Sequence, residues 1–226
     1  MKKIGLIAFC GIVLLSACGG GVVKKEKKCD REEMGLVGKV KSLKAISGLG
    51  EGTLYVFNEA GYLLSESHVE EGMDMDTEEK LLVEYTYGED GKLVSVSRYS
   101  NMDGSLETKE VYDGNGNMTA LEKYNNAYDN GKRVSKLYST NHFIYNEKGL
   151  LTKSYMNDDE KNATEYKCDA AGNILEQTDY FMGKVSRILR FGYKYDGRGN
   201  ITEECQYTPE IPGNKKPDTG KEKEKK

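Results

Sequence analysis

The chain has 226 residues, among them 26 Gly, 3 Pro, 16 Tyr and no Trp, and a formal net charge of −4. That length holds one sizeable domain or a run of small repeats, and abundant Gly with scarce Pro favours many tight turns. With 33 Lys and Arg against 37 Asp and Glu, there is no cationic excess of the kind a polyanion requires, which excludes nucleic acid as a partner.

The N-terminus reads as an address. Lys2-Lys3 precede an apolar run from Ile4 to Leu15, which ends in Leu15-Ser16-Ala17-Cys18. Charge, length and small residues before the Cys predict a signal peptide over residues 1–17, too short to span a bilayer stably. The last four residues are similar to the bacterial lipobox. That resemblance implies cleavage before Cys18, diacylglycerol on its sulfur and further acylation such as palmitate. Each buried CH₂ contributes about 0.8 kcal/mol, so several chains make a stable membrane anchor. Residues 18–33 hold Gly19-Gly20-Gly21 and a Lys-rich run with no apolar period, and are expected to be a flexible tether. Gly19 is not the Asp that marks inner-membrane retention in enteric lipoproteins, so the analogy implies an outer-membrane lipoprotein, in either leaflet.

Of the five Cys, Cys10 leaves with the signal peptide and Cys18 is lipidated, which leaves Cys29, Cys168 and Cys205. No Cys-x-x-Cys is present and His68 and His142 lie far apart, so no metal and no cofactor are expected. In a flat meander Cys168 and Cys205 are three strands apart, roughly 14 Å at about 4.8 Å per strand. A disulfide needs Cα atoms within about 7 Å, so free thiols are expected unless the sheet curls.

The domain proper is expected over residues 34–208. Gly38 to Ile46 is a plausible first strand, and Ser47 to Gly52 a turn. A unit then recurs: Phe57-Asn58-Glu59-Ala60-Gly61, Tyr87-Gly88-Glu89-Asp90-Gly91, Tyr112-Asp113-Gly114-Asn115-Gly116, Tyr145-Asn146-Glu147-Lys148-Gly149, Cys168-Asp169-Ala170-Ala171-Gly172 and Tyr195-Asp196-Gly197-Arg198-Gly199. Two residues past each Gly stands an aliphatic side chain: Leu63, Leu93, Met118, Leu151, Ile174 and Ile201. Two residues before the unit there is usually an aromatic: Tyr55, Tyr85, Phe143, Tyr166 and Tyr193, with Glu110 the exception. Asp or Asn opens a turn by bonding its own backbone, and Gly supplies the positive φ that leaves it, so each unit predicts a β-hairpin. Second turns are expected at Glu71-Gly72, Asp103-Gly104, Asn130-Gly131, Asn157 to Glu160 and Met182-Gly183. Six two-stranded repeats make an all-β antiparallel meander, an open or curled single-layer sheet. Strict alternation would put Ile201, Glu203, Cys205 and Tyr207 on one face. With Val69, Tyr99, Tyr124, Tyr180 and Tyr207 recurring eight residues past the Gly, it would give one Tyr/aliphatic face and one polar face.

Tyr-x-Tyr-Asp-x-x-Gly-Asn-Ile, at Tyr193 to Ile201, resembles the YD repeat of the RHS family, whose large members wind β-sheet shells around toxins or form surface filaments. The resemblance covers Leu54 to Tyr207. It implies the β-meander; nothing here is long enough to close a shell, and no toxin domain follows. Residues 209–226, with all three Pro and a Lys/Glu run, are expected to be disordered.

Chemistry is sparse. Asp113-x-Asn115-x-Asn117 begins like a calcium loop, yet Met118 stands where that loop requires Gly and Tyr124 where it requires a bidentate Glu. The acidic run Asp74 to Glu79 reads as a solvated loop. Glu176 and Glu203 are the one carboxylate pair to weigh for glycoside hydrolysis, and both fall where a rim carboxylate is ordinary. No enzyme is expected. The candidate binding face is Tyr85, Tyr87, Tyr99, Tyr112, Tyr124, Tyr145, Tyr166, Tyr180, Tyr193, Tyr195 and Tyr207, which would either roof the sheet or stack on a glycan or a protein partner. The alternative function is an envelope scaffold or an immunity-like toxin partner.

Overall fold

The computed structural model describes residues 29–48, 50–71 and 77–209. The signal peptide, Cys18, the tether to residue 28, the turn at Gly72, the acidic run at 74–76 and the tail from 210 lie outside the described residues. A four-residue helix, α1 (Asp30–Glu33), precedes thirteen strands. These are β1 (Ser42–Ile46), β2 (Glu51–Phe57), β3 (Leu63–Glu71), β4 (Thr77–Tyr87), β5 (Leu93–Tyr99), β6 (Leu106–Tyr112), β7 (Met118–Asp129), β8 (Lys132–Tyr145), β9 (Leu151–Met156), β10 (Thr164–Cys168), β11 (Ile174–Phe181), β12 (Lys184–Tyr195) and β13 (Ile201–Tyr207). They form one antiparallel sheet in sequence order, with β1 and β13 as its two edges, so the meander is open and not a barrel.

The motif turns form as their residues dictate. Asp196 N–H donates to the carbonyl of Asn200, Gly199 N–H donates back to Asp196, and Gly199 holds φ +85°. The Asp196 carboxylate accepts from the N–H groups of Arg198 and Asn200 and from the Asn200 side-chain amide. The same bonds recur at Asp113 and Asp169, and Asn146 reproduces the two backbone ones. Where Gly88 replaces the opening residue, Asp90 accepts from Lys92 N–H instead. Two distal turns, Asn130-Gly131 and Met182-Gly183, place both residues at positive φ, the backbone that continues a strand's twist through a two-residue loop.

One feature of the sheet overturns the expected alternation. At every motif turn the register slips by one residue. Lys194 pairs with Glu203 but Tyr195 pairs with Ile201, which leaves Thr202 as an extra residue. Leu64, Val94, Thr119, Thr152 and Leu175 are skipped in the same way. A bulge of this kind moves everything beyond it to the opposite face. Ile201 therefore shares a face with Tyr193 and Tyr195, while Glu203, Cys205 and Tyr207 lie on the other. The expected single Tyr/aliphatic face is thus corrected to two. A second slip, at β3–β4, β5–β6, β7–β8 and β11–β12, brings the next motif aromatic back to the first face.

Neither face is covered by a second layer among the described residues. The buried apolar side chains are Cys29, Phe57, Val69, Val96 and Ala163, too few and too scattered for the core of a two-layer domain. Burial is densest in β2–β5, where Ser67, Ser95 and Ser97 lie beneath larger neighbours; Ser67 faces Leu81 and Ser97 faces Glu84. At the N-terminal end, α1 seals the first motif turn. Arg31 N–H donates to Gly61, Asp30 accepts from Leu63 N–H at 2.8 Å, and Cys29 is buried against Gly61. Residues 29–33, expected as the end of the flexible tether, are this docked helix and the Cys before it, and the strand expected from Gly38 starts at Ser42.

Candidate functional site

The register sorts the eleven candidate tyrosines. Tyr85, Tyr87, Tyr112, Tyr145, Tyr166, Tyr193 and Tyr195 are on the first face, together with the motif aliphatics. Each motif residue pairs directly with its aliphatic: Phe57 with Leu63, Tyr87 with Leu93, Tyr112 with Met118, Tyr145 with Leu151, Cys168 with Ile174 and Tyr195 with Ile201. Tyr99, Tyr124, Tyr180 and Tyr207 are on the second face.

Six of these seven first-face hydroxyls are committed within the sheet. Tyr85 donates to Glu66 at 2.6 Å and Tyr112 to Glu110 at 2.5 Å. Tyr145 donates to the Met118 carbonyl and Tyr193 to the Ile174 carbonyl, each reaching the start of the neighbouring strand. Tyr166 shares a bond with Ser154, and Tyr195 bonds Asp169 and Asn173 of the preceding motif turn. On the second face Tyr99 donates to Glu84, Tyr124 to Glu122 and Tyr180 to Glu165. Burial, and then the carboxylate acceptor, push the Tyr124 hydroxyl up to about 12. Burial, then the charge of Asp30 and the neighbouring Tyr62 ring, do the same for Tyr87, also to about 12. With their values raised, Tyr85, Tyr99, Tyr112, Tyr124, Tyr145, Tyr180, Tyr193 and Tyr195 are protonated donors at neutral pH, and a ligand meets mostly their ring edges and faces.

Exposure separates them further. Tyr195 (46%) and Tyr207 (55%) are the open members of the candidate set. More open still are Tyr128 (77%) and Tyr138 (69%), which the repeat pattern does not single out. They belong to the β7–β8 hairpin, which runs beyond its neighbours: β6 follows β7 only to Lys123, and β9 follows β8 only back to Asn141. The resulting two-stranded arm also presents Val134 and Leu137, and is tied near its tip by Arg133 to Asp103 at 2.7 Å. The signal for it is the 33-residue step from Tyr112 to Tyr145, the longest between motifs.

The second face also carries an open depression of about 400 Å³ across β8–β11, lined by Ile144, Thr152, Lys153, Glu165, Lys167 and Tyr180, among others. Next to it His142 stacks on Tyr155 at 4.8 Å, and Lys153 lies 5.6 Å from the centre of that ring. The depression combines aromatic rings, two ammonium groups and a carboxylate on a shallow floor.

Catalytic convergence is not what the sheet provides at the residues weighed for it. Glu176 and Glu203 share the second face but stand two strands apart. Lys167 and Arg190 clamp Glu176 at 2.6 and 2.7 Å and hold its carboxyl below the usual range, and Lys194 holds Glu203 at 2.6 Å. The Asp113 oxygens are taken up by Asn115 and Asn117, as turn chemistry requires. His68 faces Lys80. Cys168 and Cys205 sit on opposite faces, on β10 and β13.

No family model matches the chain, and no curated protein matches it. Solved structures do. A crystal structure of TcdB2-TccC3-TEV is 14% identical with a TM-score of 0.33, over 76% of this chain and 11% of that one. A porin-like protein from Bacteroides uniformis is 14% identical with a TM-score of 0.25, over 73% of this chain and 92% of that one. A Tc holotoxin pore from Photorhabdus luminescens is 12% identical with a TM-score of 0.18, over 72% of this chain and 12% of that one. The chain thus spans about a tenth of the toxin structures' length.

Proposed function

We propose that the chain is a bacterial lipoprotein of YD-type repeats, held at the outer membrane by lipid on Cys18, that binds a glycan or another envelope protein on its open sheet. One observation carries the reading: thirteen strands form a single layer that leaves half-exposed aromatic and aliphatic rows on both faces. Unroofed rows of this kind are where stacking partners and interface aromatics operate. Within the sheet, the depression at Lys153, Glu165, Lys167 and Tyr180 is the favoured seat, since it joins a ring to polar groups of both signs. Binding of the full chain to an oligosaccharide array, and cross-linking to envelope proteins in cells, test this. Tyr180→Ala and Lys153→Ala are expected to weaken the signal at least tenfold, while Tyr62→Phe, beside α1, leaves it unchanged. Silence in both experiments, or binding indifferent to the depression, overturns the reading.

The second reading, an envelope scaffold or toxin partner, is favoured by the two open sheet edges. It predicts association through strands β1 or β13 and no soluble ligand.

A further inference from the structure

The two edges of the sheet differ, and β13 is the more available. All seven of its residues are exposed, and among the described residues its backbone has a strand partner on the β12 side alone. A row of unpaired N–H and C=O groups is a template for another strand. We propose that β13 pairs antiparallel with β13 of a second copy, about a two-fold axis at Cys205, which joins two sheets into one of twenty-six strands.

Register decides the occupant. A two-fold axis normal to the sheet makes the two edge strands antiparallel and keeps each face continuous with its counterpart. Centred on Cys205, it sets Glu204 opposite Gln206, Glu203 opposite Tyr207 and Thr202 opposite Thr208. Centring on Glu204 would oppose two carboxylates, which destabilises a strand pair. Centring on Gln206 would leave only residues 204–208 before Pro209, which has no N–H to give. The favoured register also joins side-chain types that the sheet already bonds across adjacent strands, there on the diagonal. Glu84 with Tyr99, Glu165 with Tyr180 and Glu66 with Tyr85 are Glu–Tyr bonds between adjacent strands, and the Glu203 charge is already held by Lys194. The other edge, β1, has five residues and follows Lys39 and Lys41. Joining β13 to β1 of another copy with the faces kept continuous would be parallel and would not close, which gives open-ended polymers.

Cys205 reports the register. It is exposed, on the second face, with its thiol over Gly192, where an added Cβ would sit 2.9 Å from the sulfur. A residue opposite its own copy has Cα atoms about 4.5–5.5 Å apart, inside the range of about 4.4–6.8 Å for a disulfide. With oxidised glutathione as oxidant, two Cys205 thiols give one disulfide and two molecules of reduced glutathione. Pairing at β13 is separate from ligand binding on the faces, and losing one leaves the other intact.

The test is sedimentation of the full chain in excess detergent over a concentration series, with oxidative cross-linking alongside. A dimer and nothing larger is expected. Gln206→Lys, which faces Glu204 of the other copy twice by symmetry, tightens it and Gln206→Glu weakens it, each by about tenfold. Cys205→Ser abolishes the covalent dimer and leaves the non-covalent one, whereas Cys168→Ser changes neither. A monomer at all concentrations, a dimer indifferent to both Gln206 substitutions, a cross-link that survives Cys205→Ser, or assemblies that grow past the dimer would each overturn the proposal.

Discussion

Asp113, Asp169 and Asp196 hold their carboxyls below the usual carboxylate range through bonds from their own turns, with burial opposing the shift and outweighed. A depressed folded-state value stabilises the fold above the unfolded value of about 3.9, and that contribution is lost as pH falls through the folded value. Denaturant midpoints are therefore expected to drop between pH 5 and pH 2, and Asp113→Asn to flatten the drop at the cost of lower stability at pH 7. The tyrosines act at the other extreme. Their raised values stabilise the fold fully below about pH 10, and that contribution disappears as pH rises toward 12. Tyrosinate absorbance is expected to rise late and together with unfolding. Glycine separates strain from space: Gly116 has φ +85° and nothing within 4 Å, so Gly116→Ala should cost about 1–2 kcal/mol from backbone alone. Gly61→Ala adds a clash with Cys29 at 2.7 Å and should cost more, which thermal denaturation of the two variants compares. These turn roles were legible in the sequence because they are local. An Asp accepting from residues two and four ahead needs no knowledge of the rest of the chain. The sides of the tyrosines were not legible, because one unpaired residue such as Thr202 leaves no compositional mark and still inverts all that follows.

At the scale of elements, two hairpins show what local pattern conveys and what it does not. Strands β2–β5 hold most of the buried side chains, and Phe57 is buried while Phe181, at a distal turn, is 63% exposed. Phe57→Ala is expected to lower stability by about 3–5 kcal/mol, and Phe181→Ala by less than about 0.5 kcal/mol; urea denaturation distinguishes them. The β7–β8 arm was partly legible, since Asn130-Gly131 marks its tip and the long motif spacing its reach. That Tyr128 and Tyr138 stand clear of the sheet was not, because it depends on β6 and β9 stopping short. The docking of α1 was hidden for a similar reason: Asp30 meets Leu63 across 33 residues, and nothing in the polar run before it signals a binding site for its own hairpin.

The described residues form a ribbon in which each strand is hydrogen-bonded to the ones beside it in sequence order. Stability should then follow local burial along the chain rather than one shared core. Amide exchange is expected to be slowest in β2–β5 and to quicken toward β12–β13; equal protection throughout would show a second layer closing over the sheet. The paired register slips have a consequence for how such a gene changes length. Because every repeat begins with its motif residue on the first face, through a second slip at four distal turns and through the pairing of Glu165 with Lys153 at the fifth, duplicating or losing one whole repeat keeps every later side chain on its original side. Copying half a repeat would turn the remainder inside out. Unequal recombination between the repeats can thus lengthen or shorten the protein in steps of two strands, with each new form folding at once and presenting the same two surfaces over a wider span.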